Sequence, residues 1–332
     1  MTDNSEQTER YTLGSTVIID GKPFEIIKDA RLLDGVVLKC ENVYGRLGPK
    51  ELVLEEQAHT LSLHKQGFPV PKVLSSGKLP DGMHYFTESS LGKETFHELF
   101  TQEYRKDGSV SDATFNSYLT VIEKYTRAQS KDTNRTNIAA SKFISSLLPD
   151  NEVLPSYVYF GYEADEYLRA ITKASDRLTD APMGILQYDL NPYNMLDGGV
   201  IDFELVGHGP IGYDTLMSVR WGGTWFTDYP SRYPISYALS PQQIASNDAL
   251  ISTIAAEYGL PDPSINMQEF LLLKSAWALA EPIPLQPDWP QDKLAFRKFR
   301  TNVLHKAVVS YLHGKRIHYE SFSKVSGGEL IN

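Results

Sequence analysis

The sequence predicts an α+β fold in which a small β-rich region is followed by a larger helical region. Short strands separated by turn residues run from Thr16 to about Glu88, a single helix interrupts them, and helical periodicity dominates beyond Ser90. The chain has 332 residues, of which 41% are hydrophobic. It is therefore long enough to bury a sizeable core divided between two lobes.

Five strands and one helix are predicted in the β-rich region. Hydrophobic alternation and turn residues place the strands at Thr16 to Ile19, Phe24 to Ile27, Val36 to Cys40, Lys72 to Ser76 and His84 to Thr87. Asp34-Gly35 is typical of a hairpin turn. Gly48-Pro49 favours the start of the helix, which is expected to end at Gly67.

The helical region shows three clear signals. Phe115, Tyr118, Ile122 and Tyr125 recur on one helical face. Ser240 and Gln243 have the spacing of a capping box at the start of another helix. Two further helical patterns cover about 266–281 and 291–312.

Charge and composition exclude several classes of protein. The formal net charge of −10 disfavours nucleic acid, which is bound by clustered Lys and Arg. Cys40 is the only cysteine, so no internal disulfide forms. The N-terminal residues are polar, and no apolar run approaches the roughly 20 residues that span a bilayer. We therefore expect a cytoplasmic protein with neither a nucleic-acid nor a membrane partner.

The segment 185–204 carries the strongest chemical signal. Its turn, Asp197-Gly198-Gly199, lies between the apolar pairs Met195-Leu196 and Val200-Ile201. A hairpin centred on Gly198 places Asn194 opposite Asp202, with Cβ atoms about 5 Å apart. An amide oxygen and a carboxylate at that separation bind hard cations such as Mg²⁺.

A second carboxylate, Asp189, precedes Asn194 by five residues in a loop that contains Pro192. It is placed to orient the hydroxyl of an acceptor. An Asp base with an Asn and an Asp on the metal is the arrangement of kinase-type phosphoryl transfer. A surface hairpin with incidental polar residues is the alternative, but the joint spacing Asp-x4-Asn-x7-Asp favours the functional interpretation.

A cation for the phosphates is sought upstream, and Lys39 lies inside the apolar strand 36–40. An outward-facing lysine is equally compatible with that position. In the following helix, Glu56 borders the apolar face, whereas Glu55 lies on a more polar face. Glu56 is therefore the better candidate to orient Lys39, and Glu55 is the second choice.

These residues resemble the aminoglycoside phosphotransferase and choline kinase family. Gln187 to Asn194 is similar to the family pattern His-Gly-Asp-x4-Asn, and Ile201 to Glu204 is similar to Ile-Asp-Trp-Glu. Gly212 to Asp214 is similar to Pro-x-Tyr-Asp. Upstream, Glu56 to Pro71 is similar to a helix that ends in Gly-x-Pro-x-Pro, and Leu38-Lys39 is similar to the family's Leu-Lys. In that family the Asp corresponding to Asp214 buttresses the catalytic loop. Two positions depart from the pattern, with Gln187 in place of His and Tyr188 in place of Gly.

The resemblance implies a bilobal protein-kinase-like fold, with a small antiparallel-sheet N-lobe that contains one helix and a larger helical C-lobe. It implies Mg²⁺ and ATP or GTP as cofactors, with the backbone near Glu88 and Ser90 contacting the purine. The corresponding segments are a disordered 1–10, a nucleotide-binding lobe and hinge at 11–90, a catalytic and acceptor-binding lobe at 91–322 and a flexible tail at 323–332.

The implied reaction is transfer of the γ-phosphate to a hydroxyl of a small acceptor such as an aminoglycoside, amino alcohol or sugar. Ordinary loop packing is the favoured explanation for a group of aromatic residues near Asp228, and holding an amine is the alternative: Trp221, Trp225, Phe226, Tyr229 and Tyr233. A nucleotide-binding pseudokinase is the alternative, favoured by Gln187 and by the poor phosphate-binding turn Asp20 to Pro23. A protein kinase is disfavoured because no Ala-Pro-Glu segment follows Asp202. The oligomeric state stays open.

Overall fold

The chain divides into two compact units. The computed structural model describes residues 11–30, 35–131, 139–148, 153–203, 205–221, 237–280, 291–319, 325–326 and 329–330. One unit, here called the sheet unit, extends to residue 93 and includes 196–204, and the remainder forms the helical unit. The predicted α+β class is confirmed. The predicted domain ranges, which assign 196–204 to the helical lobe, remain predictions.

The sheet unit contains one antiparallel sheet in which six described strands follow the order β1-β2-β3-β4-β6-β5. The strands are β1 (Thr16–Ile19), β2 (Lys22–Ala30), β3 (Gly35–Cys40), β4 (Val43–Gly48), β5 (Val73–Lys78) and β6 (His84–Ser89). The five predicted strands are confirmed. The sequence analysis missed β4, because Gly45 and Gly48 interrupt the hydrophobic alternation that marks a strand.

Hydrophobic residues of one face form the core of the sheet unit. These side chains are Val17, Ile19, Phe24, Ile26, Leu38, Leu47 and Tyr85, each at most 8% exposed. Because side chains alternate along a strand, Lys39 and Arg46 lie on the other face. The alternation of the strands therefore separates an apolar core from a face with charged residues.

The turn between β1 and β2, at one end of the strand order, forms hydrogen bonds with β5 and β6 at the other end. Ile19 pairs with Lys22, so Asp20 and Gly21 form a two-residue turn with φ angles of 50° and 76°. The Asp20 carboxylate accepts hydrogen bonds from the Tyr85 hydroxyl at 3.0 Å and the Ser75 hydroxyl at 2.9 Å. Since Ser75 and Tyr85 belong to β5 and β6, these bonds require the sheet to curl.

The single helix of the sheet unit follows β4 directly. Helix α1 (Lys50–Lys65) begins after Pro49 and is followed by Gly67, which has a φ of 84°. Both signals were predicted, and the helix is confirmed. Its buried side chains are Val53, Thr60 and Leu63. Because only Pro49 separates α1 from β4, the end of β4 determines where the helix lies.

The helical unit contains the predicted helices. The described helices are α2 (Phe96–Asp107), α3 (Asp112–Lys131), α4 (Ala140–Leu147), α5 (Val153–Tyr159), α6 (Ala164–Arg177), α7 (Tyr213–Ser218), α8 (Pro241–Glu257), α9 (Met267–Trp277) and α10 (Gln291–Leu312). Ser240 and Gln243 form the predicted capping box of α8. None of the helices that the structure describes has the length and apolar character needed to cross a membrane.

Short strands frame the segment predicted to carry chemistry. Strand β7 (Met183–Leu186) leads into it and pairs antiparallel with β10 (Gly207–Pro210). Between them lie a 3-10 helix (Pro192–Asn194) and the strands β8 (Met195–Leu196) and β9 (Gly199–Val200). Two more strands, β11 (Val325–Ser326) and β12 (Glu329–Leu330), pair within the C-terminal tail.

The hairpin turn consists of Asp197 and Gly198, and β9 begins at Gly199. The expected turn centred on Gly198, with a second strand from Val200 to Ile201, is therefore wrong by one residue. Asp-Gly is a favoured two-residue hairpin loop, and in this register the Val200 N–H donates to the Pro69 carbonyl at 2.7 Å. Gly199, with a φ of 152°, has no room for a Cβ atom beside that same carbonyl.

We predict that Asp20→Asn lowers the free energy of unfolding by about 1–2 kcal/mol, because one of the two acceptor oxygens becomes a donor nitrogen. Asn also tolerates a positive φ, so the turn itself is preserved. Denaturant unfolding measures the change, with Ser76→Ala as an exposed control on β5. An unchanged stability would contradict the role of Asp20 in holding the curled sheet.

Candidate active site

The loop after β7 presents Asp189 through bonds from two asparagines. The Asp189 carboxylate accepts from the Asn191 Nδ2 at 2.7 Å and from the Asn194 Nδ2 at 3.2 Å. The same two nitrogens also donate to the Asp189 carbonyl, at 2.8 Å and 3.0 Å. The carboxylate is half-buried. The loop therefore holds Asp189 in one conformation and leaves it partly accessible.

Asn191 is a residue of the loop that the sequence analysis missed. It is 3% exposed, and its Oδ1 accepts from the Tyr193 N–H at 2.8 Å while its nitrogen donates to Asp189. This is the capping arrangement of a short helix, with Pro192 at its first position. The dipeptide Asn191-Pro192 was a signal for such a turn.

The orientation of Asn194 follows from its contacts. Both the carboxylate and the carbonyl of Asp189 only accept hydrogen bonds, so the amide nitrogen of Asn194 must face them. The amide oxygen of Asn194 then points away from Asp189. That oxygen is the atom a hard cation would bind.

A buried carboxylate on α7 braces the start of the loop. Asp214 is 2% exposed, and its Oδ2 accepts from the Gln187 N–H at 2.7 Å and from the Tyr125 hydroxyl at 3.1 Å. Burial raises the pKa of Asp214 to about 6, although the Gln187 bond and the charge of Lys274 oppose the rise. Asp214 thus contacts the loop as the resemblance implied, through the backbone of Gln187.

The unusual Tyr188 is accommodated by a glycine. Its hydroxyl donates to the His208 carbonyl at 3.3 Å, and the side chain is 6% exposed. A Cβ atom on Gly207 would overlap the Tyr188 hydroxyl. The larger residue in the loop therefore depends on the absence of a side chain in β10.

The C-terminal end of the loop packs against α2. The Tyr193 ring stacks on His97 with the ring centroids 3.5 Å apart. Burial lowers the pKa of His97 to about 4, so the imidazole is neutral near pH 7. This contact fixes the residue next to Asn194.

Lys274 is a second residue that the sequence analysis missed. This α9 residue is 1% exposed, and its Nζ donates to the Tyr188 carbonyl at 2.9 Å. It also lies 3.5 Å from the Trp277 ring centroid and 4.7 Å from that of Trp221. The sequence signal for a buried lysine was its position inside the largely apolar segment Leu271 to Ala276. Because lysine is almost never fully buried without partners, such a position indicates specific contacts.

In the sheet unit, a cation on β4 pairs with the predicted glutamate. The Arg46 Nε lies 2.9 Å from the Glu56 Oε1, and its Nη2 lies 3.9 Å from the Asp202 Oδ1. The side chains of Arg46 and Glu56 are 15% and 17% exposed. The structure therefore joins Glu56 and Asp202 around one guanidinium.

The predicted pairing of Glu56 with Lys39 is wrong. Lys39 is exposed, and its Nζ lies 5.5 Å from the centroid of the Tyr44 ring. Lys39 on β3 pairs with Tyr44 on β4. Tyr44 precedes Arg46 by two residues on the same strand, so Lys39 and Arg46 lie on the same face of the sheet. Because β4 separates β3 from α1 along the chain, Arg46 rather than Lys39 reaches the helix. A role of Lys39 in binding phosphate remains a prediction.

Glu88 lies near the same group of charges. It pairs with Tyr44 in the β4–β6 register. Burial raises the pKa of Glu88 to about 7, while Arg46 lowers it and the carboxylates of Glu56 and Asp202 raise it further. The side chain of Glu88 therefore changes its charge near neutral pH.

Ser90, which follows β6, forms hydrogen bonds within its own unit. The Ser90 N–H donates to the Asn42 carbonyl at 3.0 Å, and the Ser90 hydroxyl donates to the Gly92 carbonyl at 2.8 Å. That N–H is already used within the sheet unit. The predicted contacts of Glu88 and Ser90 with a purine remain predictions.

Asp202 follows β9 with a φ of 67°, a left-handed conformation that is uncommon for residues other than glycine. Such conformations cluster at functional sites, where the surrounding structure holds them. The conformation turns the chain out of the hairpin at the residue predicted to bind metal.

No group of three or more potential metal-binding His, Cys, Asp or Glu side chains occurs among the residues that the structure describes. The smaller donor set that the sequence suggested, one amide oxygen from Asn194 and one carboxylate from Asp202, remains a prediction. Both are ligand types that suit Mg²⁺, which retains waters and phosphate oxygens as its other ligands.

Most of the aromatic residues considered as an amine site lie outside the described residues: Trp225, Phe226, Tyr229 and Tyr233. Trp221 is described and is 5% exposed. It packs against Trp277, with ring centroids 5.6 Å apart. Trp221 therefore contributes to the packing around Lys274.

Comparison with known protein families gives no match, and comparison with curated proteins gives none either. Solved structures of similar fold include an aminoglycoside phosphotransferase APH(4)-Ia mutant with AMP-PNP and hygromycin B (12% identity, TM-score 0.47, 93% of this chain and 99% of that one). Another is APH(3'')-Id from Streptomyces rimosus with ADP and streptomycin (14%, 0.48, 84% and 99%). A third is a choline/ethanolamine kinase family protein from Mesorhizobium loti (13%, 0.46, 97% and 95%).

We predict that Arg46→Met weakens binding of a magnesium-bound nucleotide by about tenfold or more, because Glu56 and Asp202 lose the cation they share. Lys39→Met is the matched control and should leave the affinity within about twofold, since the Lys39 ammonium lies on the exposed part of the same face. Calorimetric titration with Mg-ATP and Mg-GTP measures both. The reverse pattern would favour Lys39 over Arg46 as the cation that binds the phosphates.

Proposed function

We propose that the protein is a kinase that transfers the terminal phosphoryl group of Mg-bound ATP or GTP to a hydroxyl of a small acceptor. The observation that carries the proposal is the loop of Asp189. Two asparagines of the loop orient the Asp189 carboxylate, which remains partly accessible. Asp214 braces the start of the loop at Gln187. A carboxylate held in this way is suited to accept a proton from a hydroxyl.

In this proposal, Asp189 accepts the hydroxyl proton as the acceptor oxygen bonds to the γ-phosphorus. The bond from that phosphorus to the bridging oxygen breaks, and the nucleoside diphosphate leaves. Asn194 and Asp202 would hold Mg²⁺, which neutralises phosphate charge. Arg46, oriented by Glu56, would supply a second positive charge to the phosphates.

The proposed acceptor is a small alcohol that carries an amine. The formal net charge of −10 favours a cationic over an anionic acceptor. Turnover with amino alcohols, aminoglycosides, neutral sugars and a generic protein substrate tests this choice. Phosphorylation of the protein substrate alone would contradict a small acceptor. Nucleotide binding without turnover of any acceptor would instead support the pseudokinase.

We predict that Asp189→Ala lowers kcat by about 10²–10⁴-fold at saturating acceptor, because the base that accepts the hydroxyl proton is lost. Nucleotide affinity should persist. Asp180→Ala, which removes an exposed carboxylate shortly before β7, is the control and should behave as the wild type. A near-normal kcat in Asp189→Ala would refute the assignment of the base.

We predict that Asp202→Asn raises the Mg²⁺ concentration needed for half-maximal turnover and weakens nucleotide binding at the same time. Asn tolerates the left-handed backbone of this position, so the substitution removes the charge and preserves the turn. Asn194→Ala should show a milder form of both effects, because it removes a neutral ligand. An unchanged Mg²⁺ requirement in Asp202→Asn would exclude this carboxylate as a metal ligand.

A further inference from the structure

The helical unit buries a cation directly beneath the catalytic loop. Lys274 is 1% exposed, and its ammonium donates one hydrogen bond, to the Tyr188 carbonyl at 2.9 Å. The rings of Trp277 and Trp221 lie over the charge, with centroids at 3.5 Å and 4.7 Å. The carboxylates of Asp189 and Asp214 also attract it. Every one of these contacts belongs to the loop or to the residues that surround it.

Consecutive residues of the loop are held by different partners. Asp214 accepts from the Gln187 N–H, and Lys274 donates to the Tyr188 carbonyl. The Asp189 carbonyl accepts from two asparagines within the loop. The Lys274 bond is therefore the contact through which α9 fixes the peptide unit that joins Tyr188 to Asp189.

A buried ammonium is a costly way to stabilise a fold. Burial lowers the pKa of Lys274 to about 8, against the attraction of Asp189 and Asp214. A buried ion pair can often be replaced as a whole by apolar residues of similar volume with no loss of stability. We therefore look for a role of the Lys274 charge other than stabilising the fold.

We propose that Lys274 is a positioning residue for phosphoryl transfer, whose ammonium holds the Tyr188 carbonyl so that the Asp189 carboxylate points toward the acceptor hydroxyl. This inference rests on the proposed kinase function. Lys274 acts through the loop backbone and does not touch the substrate. Its removal changes how often Asp189 is correctly oriented and leaves nucleotide binding unchanged.

The test compares Lys274→Met, Lys274→Arg and Leu273→Met. Met has a similar length and no charge, Arg keeps the charge and also packs on tryptophan, and Leu273→Met controls for a change of packing at a buried position of α9. Steady-state kinetics with the acceptor found for the wild type gives kcat and KM, and thermal unfolding gives the midpoint of each variant.

We expect Lys274→Met to lower kcat by about 10²-fold, the usual consequence of a misplaced catalytic group, with the KM for nucleotide within about twofold of the wild type. Its thermal midpoint should fall by several degrees, because the Tyr188 carbonyl loses its donor and the buried Asp214 carboxylate loses a nearby cation, but the variant should stay folded at the assay temperature. Lys274→Arg should recover at least part of the lost kcat, and Leu273→Met should match the wild type.

Amide hydrogen exchange provides a readout that does not depend on turnover. In the nucleotide-free protein, Lys274→Met should accelerate exchange in peptides covering 187–194 and leave α9 protected. If the wild type phosphorylates no acceptor, the kinase proposal fails, and faster exchange still supports the anchoring of the loop by Lys274. A wild-type kcat in Lys274→Met, unchanged exchange of the loop, or a loss of kcat that merely follows a large loss of stability would overturn the inference.

Discussion

The hydrogen bond from the Gln187 N–H to the buried Asp214 carboxylate is the contact on which the candidate site depends. It is 2.7 Å long and lies in a part of the core where an unpaired charge would be expensive. Tyr125 donates to the same oxygen, and Lys274 attracts the carboxylate from α9. Three elements of the helical unit therefore meet at one acceptor, and the loop begins from that point.

The loop itself is a closed system of local bonds built on this support. Asp189 is surrounded by donors from Asn191 and Asn194, both within five residues of it along the chain. Local bonds of this kind hold a short segment without secondary structure, because they satisfy its backbone groups. The helical core determines where the loop begins, and the two asparagines of the loop donate to the carboxylate of Asp189.

Much of this arrangement could be predicted from the sequence, because it depends on local signals. Asp189 and Asn194 were predicted as site residues from spacing, the turn before β9 was predicted to within one residue from its turn residues, and α1 and α8 were predicted from their capping signals. The contacts of Asp214, Lys274 and Tyr125 could not be derived from spacing, since each joins residues far apart in the chain. Tyr125, for example, was predicted only as part of an apolar helical stripe, and that pattern does not show what its hydroxyl contacts.

The correction at Arg46 has the same physical origin. A strand pattern identifies which residues share a face, and Lys39 and Arg46 do share one. It does not show which strand lies next to the helix. Without β4, the cation chosen to pair with α1 was Lys39, which lies inside the apolar predicted strand 36–40. The choice between the two cations depends on tertiary order, because the helix starts immediately after β4.

The departure at Tyr188 shows how the loop tolerates a large side chain where the resembled family has glycine. The side chain is buried beside Gly207, and its hydroxyl bonds to the His208 carbonyl of β10. The Tyr188 carbonyl points instead to Lys274. A single residue thus joins β10 on one side and α9 on the other through separate groups. The side chain of Tyr188 therefore adds a contact to β10 through its hydroxyl, while the contact to α9 is made by its backbone carbonyl.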